Sequence, residues 1–107
     1  MKQDKEVDEI KKVLRRIPGW FIKTEQKNSK ILMTYLRLSS ANTIWVHPSA
    51  MEKNYGLDKE SFRRHFNNMR YFSSSIGKVF DTRADGTIEL WEPVADFIIQ
   101  EYKKIFD

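Results

Sequence analysis

Val7, Ile10, Leu14 and Ile17 recur every three or four positions near the start of the chain, and Pro18-Gly19 interrupts them. That spacing gathers them on one side of a helix, so the pattern predicts a helix over about 4–17, ended by the Pro-Gly pair. Trp20 to Ile22 form a short apolar run, and the polar stretch after it offers Asn28 or Ser29 as the cap of a second helix. Ile31, Leu32, Tyr35, Leu36 and Leu38 give that helix a broad apolar side, and Ser39 to Asn42 stop it. Its face is expected to be largely buried.

Thr43 to Pro48 are β-branched and aromatic but few, which predicts one short strand with Pro48 opening the next helix. That third helix spans about 49–55 and stops at Gly56, the residue best able to take a left-handed, helix-ending conformation. Asp58 then caps a fourth helix, and Leu57 is placed to pack in the angle between the two. Wound at about 100° per residue, the fourth segment brings Phe62, Phe66 and Met69 into one narrow sector, the spacing of a buried stripe. The opposite side collects Glu60, Arg63, Arg64, Asn67, Asn68 and Tyr71, with Ser61 at one margin and Lys59 and Arg70 nearer the other.

Ser73 to Gly77 read as a flexible connector. Two alternating runs follow, Val79 to Thr82 and Thr87 to Trp91, on either side of Asp85-Gly86, a pair suited to joining antiparallel strands. Pro93 can open a last helix over about 93–106, in which Val94, Phe97, Ile98, Tyr102 and Ile105 fall on one side. Internal repeats, low-complexity tracts and long linkers are absent from the sequence, and the 107 residues are most simply one domain.

Composition narrows the classes of function. With no cysteine, neither a disulfide framework nor a thiolate zinc site can form. Nineteen Lys and Arg against fifteen Asp and Glu give a net charge of +4, which permits a polyanionic partner without requiring one. Charged residues reach 32% and the mean hydropathy is −0.62, values that point to a largely polar surface. The charged first residues do not suit a signal peptide and no apolar run approaches membrane-spanning length, so an intracellular, cytoplasmic protein is expected.

The outward side of the fourth helix stands out chemically. Asn is a poor helix former, so the adjacent Asn67 and Asn68 ask for a reason. Arg and Asn carry the paired hydrogen-bonding groups that fit guanine and adenine edges in the DNA major groove. The order of elements, with the Gly56, Leu57, Phe62, Phe66 pattern, resembles the winged helix-turn-helix family of DNA-binding domains. The resemblance covers about 28–91, with an additional helix at each end, and implies a mainly α fold with a small β-hairpin (α+β). It further implies double-stranded DNA binding, with 58–72 as the reading helix and 78–91 as the wing. Arg63, Arg64, Asn67 and Asn68 are then the base-edge candidates. Lys59, Ser61, Arg70, Tyr71, Lys78 and Arg83 complete the DNA-binding set, with Lys53 a further phosphate candidate. Glu60, Asp81 and Asp85 dilute the positive charge of this surface. A transcriptional regulator, or a factor of plasmid or phage replication or segregation, is the expected role.

Other chemistry is less well served. His65 falls beside the apolar stripe, where a core or boundary histidine is expected, and His47 has no second ligand at metal spacing. No glycine-rich phosphate loop or nucleophile elbow occurs, so neither catalysis nor a cofactor is expected. The hydroxyls of Ser73 to Ser75 could meet a phosphate, though a plain loop accounts for them. Trp45 and Trp91 are expected to seal the core, Trp20 is left open, and exposed tryptophans would instead suit a single-strand binder. The two terminal helices must cover the remaining core or pair with another copy, which allows a homodimer. The alternative function is a protein interaction module on the same fold, using Arg64, Tyr71 and the wing.

Overall fold

The computed structural model describes residues 2–55, 58–72 and 76–106, with side chains from residue 5 onward. Among them the chain is mainly helical: α1 (Lys2–Ile22), α2 (Lys27–Leu38), α3 (Pro48–Tyr55), α4 (Lys59–Asn68), strands β1 (Phe80–Thr82) and β2 (Ile88–Leu90), and α5 (Glu92–Phe106). The strands form an antiparallel hairpin in which Phe80 faces Leu90 and Thr82 faces Ile88. The proposed helix stop at Gly56, the packing of Leu57 and the Ser73–Ser75 connector lie outside the described residues.

One core joins all the elements. α2 contributes Ile31, Leu32, Tyr35 and Leu36, α3 Met51 and Tyr55, α4 Phe62 and Phe66, the hairpin Phe80, Ile88 and Leu90, and α5 Val94 and Ile98. Rings run through it in series: Tyr55 against Phe62 at 5.4 Å, Phe62 against Phe66 at 5.2 Å, Phe66 against Phe80 at 5.5 Å, and Phe80 against Tyr35 at 5.2 Å. α4 is thereby fixed from both sides. Its stripe of Phe62, Phe66 and Met69 is buried as its periodicity requires.

Four sequence expectations change. α1 does not stop at Ile17 but continues through Pro18 and Gly19 to Ile22. An interior proline costs a helix about 3 kcal/mol through its missing N–H and steric clash. Trp20 and Phe21, both 7% exposed, return about 2–3 kcal/mol each on burial, so core packing prevails over the local breaker. Val7, expected on the inner stripe, is 45% exposed, because the buried side of α1 is centred on Glu9, Val13, Ile17 and Trp20. Second, α2 starts after Gln26 with no side-chain cap, in place of an Asn28 or Ser29 cap. Third, α4 ends at Asn68 and does not reach residue 72.

The fourth change concerns the strand expected over Thr43–Pro48, which reduces to a single antiparallel bridge between Val46 and Ile88. Val46 turns into the core. Side chains alternate along extended backbone, so Trp45 turns outward and is 41% exposed, contrary to its expected burial, while Trp91 is buried as expected. The approach to this bridge is strained. Ser40, Ala41 and Asn42 have φ of 50°, 58° and 71°, three successive non-glycine residues in the left-handed region, each costing about 1–2 kcal/mol. Local bonds hold them there. The Ser39 Oγ accepts the Asn42 N–H at 2.9 Å, and the Asn42 side-chain oxygen accepts both the Tyr35 hydroxyl and, at 3.2 Å, the Leu90 N–H.

α1 reaches across the fold to the segment between α4 and β1. The Glu9 carboxylate, 6% exposed, accepts the Lys78 N–H at 2.7 Å and pairs with Lys12 at 2.8 Å. Arg16 donates to the Ile76 carbonyl at 2.9 Å. Gly77 lies against α1 with φ of +117°, where a Cβ would stand 2.9 Å from Val13 Cγ2. A buried carboxylate is tolerated here because both of its oxygens are occupied.

Candidate nucleic-acid interface

α4 begins with Asp58, whose carboxylate accepts the Ser61 N–H at 2.8 Å, the bond that a helix N-terminus needs. Lys59, Glu60, Arg63, Arg64 and Asn67 are exposed on its outer side, and Asn68 is half-buried. Ser61 is not part of that surface: at 3% exposure it lies with the core beside Phe62, which corrects its place among the backbone contacts. The wheel put Ser61 at the margin, and the packing of α3 against α4 covers that margin. His65 is half-buried with Nδ1 2.9 Å from the Ser61 carbonyl, a boundary position as expected.

The exposed bases differ in how far they are compensated. Arg63 Nε lies 3.4 Å and Lys59 Nζ 4.0 Å from the carboxylate of Glu52 on α3. No signal in the sequence marks Glu52 as their partner, because the pairing depends on how two helices meet. Glu52 also lines, with Ser49, Ala50, Lys53 and Lys59, an open cleft of about 410 Å³ between α3 and the start of α4. Arg64 has no ion pair among the described residues and projects into solvent. Asn67 is exposed, but its side-chain oxygen accepts from Arg70 at 2.5 Å. Reading a base with both of its groups requires that bond to open.

Arg70 ties α4 to the hairpin. Its guanidinium donates to Thr82 Oγ1 at 3.3 Å and lies 4.9 Å from the Phe66 ring and 5.5 Å from the Tyr71 ring. The bases flanking β1 are paired with acidic residues of the strands: Lys78 with Asp81 at 2.9 Å and Arg83 with Glu89 at 3.5 Å. Arg83 also covers one face of Trp45, 4.3 Å from the ring. At the hairpin tip, Asp85 accepts from the Thr87 hydroxyl and N–H, bonds that hold its carboxyl below the usual carboxylate range. The structure thus brings Lys59, Arg63, Arg64 and Asn67 onto one side of α4, and sets Arg70, Tyr71 and Lys78 at its far end.

His47 Nδ1 accepts the Ser49 N–H at 3.2 Å and serves the start of α3. Among the described residues, no group of three or more acidic or histidine side chains is placed to hold a metal. No described helix is long and apolar enough to cross a membrane. Comparison with known protein families, with curated proteins and with solved structures finds nothing that matches this chain.

Proposed function

We propose that the chain is a winged helix-turn-helix domain, with an additional helix at each end, that binds double-stranded DNA by laying α4 in the major groove. The observation that carries this reading is the two-sidedness of α4. Phe62 and Phe66 anchor one side in the core, while the other presents two arginines and an asparagine to solvent, with Arg64 uncompensated. These are the side chains whose donor and acceptor pairs match base edges. The hairpin supports the reading by its position, joined to the end of α4 through Arg70 and Thr82. Lys59, with Lys53 beside it, would meet phosphates. Such a domain acts in transcriptional control or in plasmid or phage replication or segregation, and a homodimer would present two reading helices to half-sites about one DNA turn apart.

A second reading, a protein interaction module, draws on the exposed Ile44 and Trp45, which are 57% and 41% exposed beside the hairpin. Salt separates the two. Fluorescence anisotropy against random duplex should show affinity that falls log-linearly with salt and is lost when Arg63, Arg64, Asn67 and Asn68 are all changed to Ala. Folded protein that fails to bind duplex at low salt would overturn the DNA reading.

A further inference from the structure

Beyond α4 the chain leaves two consecutive rings in water: Tyr71 is 62% exposed and Phe72 is 49% exposed. Helical periodicity does not place them there, since α4 has ended at Asn68. Phe72 packs at a tilt against Trp91, with centroids 5.6 Å apart and planes at 58°, and keeps about half of its surface exposed. Lys78 Nζ sits 5.9 Å from the Phe72 ring and 5.3 Å from the Trp91 ring. Arg70 lies 5.5 Å from the Tyr71 ring, and its partners are Thr82 and the Asn67 amide, both neutral. The charge on Arg70 therefore has no carboxylate against it among the described residues, unlike that on Arg63, Lys78 or Arg83.

We infer that Tyr71 and Phe72 form a stacking surface for unpaired bases, with Arg70 and Lys78 at its edges for the phosphates of a single DNA strand. Adjacent exposed rings can take adjacent bases, and a stacked ring accepts any base because every base has a π face. Rings bordered by an uncompensated arginine suit a ligand that is aromatic and anionic together. The inference rests on the duplex reading only for its target class, a duplex with an adjoining single strand, since this surface lies where α4 ends.

The test uses the full chain and two labelled probes, oligothymidine and a random duplex of the same length, titrated by anisotropy at low salt. Tyr71→Leu and the Tyr71→Leu, Phe72→Leu double variant keep apolar bulk but remove the rings. Each lost ring should lower oligothymidine affinity about tenfold, a clearly larger loss than on the duplex, while Tyr71→Trp should retain binding. Tyr71 lies outside the core, so its single variant reports even where Phe72 disturbs Trp91. Wild-type protein that does not bind oligothymidine, or leucine variants that bind it as wild type does, would overturn the inference. Oligothymidine binding that survives the fourfold alanine change on α4, with duplex binding lost, would support both sites as separate. Ring-dependent oligothymidine binding with no duplex binding at all would uphold this inference while removing the proposed function.

Discussion

Three glycines allow a graded test of how α1 holds the connector to the hairpin. At Gly77, alanine would have to keep a φ of +117° while its Cβ stood 2.9 Å from Val13 Cγ2, 3.4 Å from Lys12 Cε and 3.5 Å from Glu9 Oε2. The conformational cost is about 1–3 kcal/mol, and forcing a methyl into a packed contact adds about 1–3 kcal/mol. Relief by moving α1 would stretch the 2.7 Å bond from the Lys78 N–H to Glu9. Gly77→Ala should therefore cost about 2–6 kcal/mol, a large part of the roughly 5–15 kcal/mol that stabilises a typical protein. Gly86→Ala, with φ of +87° and only His47 Nε2 at 4.0 Å, meets the conformational cost without the clash and should lose about 1–2 kcal/mol. Gly19→Ala, within α1 and with nothing within 4 Å of the added Cβ, should instead gain about 0.5–1 kcal/mol. Urea unfolding followed by tryptophan fluorescence gives all three values. Equal effects at Gly77 and Gly86, or a Gly77→Ala cost below about 0.5 kcal/mol, would refute the account of α1 as a tight clasp.

The core, the alkaline pH profile and the outer side of α4 can each be probed by substitution. Phe62→Ala, removing a ring 2% exposed between Tyr55 and Phe66, should cost about 3–5 kcal/mol in the same unfolding assay. Burial pushes the Tyr35 phenol up to about 12, partly opposed by the Ser39 hydroxyl. Because the folded value is raised, its stabilising contribution is complete below about pH 10, where the unfolded phenol stays neutral, and is lost as the pH rises towards 12. Tyr35→Phe should lose about 1 kcal/mol at neutral pH through its bond to Asn42, and should fall less steeply than wild type over that alkaline window. On the proposed duplex reading, Asn67→Ala should relax preference at one base position by about 1–3 kcal/mol, whereas Lys59→Ala should weaken all duplexes alike. Equal losses on specific and random DNA would remove Asn67 from the readers.

Much of the fold follows from periodicity that the chain states openly. Phe62, Phe66 and Met69 announce the buried side of α4, and Asp85-Gly86 between alternating runs announces the hairpin. Misjudged positions are those where distant packing outweighs a local signal. Pro18-Gly19 is a strong stop, yet Trp20 and Phe21 find a core only if the helix continues past it. Trp45 carries the composition of a buried strand residue, but its neighbour Val46 takes the inward direction by pairing with Ile88. The outer chemistry of α4 was legible from the wheel, whereas the Glu52 pairing that restrains Lys59 and Arg63 arises only where two helices meet.

The clasp made by α1 also sets an order of assembly. Glu9 reaches Lys78 across 69 positions and Arg16 reaches Ile76 across 60, whereas the bonds that shape the Ser39–Asn42 turn span three or four. Closing so long a loop carries an entropy that must be met before its contacts return anything. The helices from α2 to α4 and the hairpin beside them can therefore consolidate while α1 is still free, and the clasp on the Ile76–Lys78 connector closes last. Release of α1 would free that connector, while the Arg70 bond to Thr82 and the Phe66 ring against Phe80 still hold the hairpin to α4.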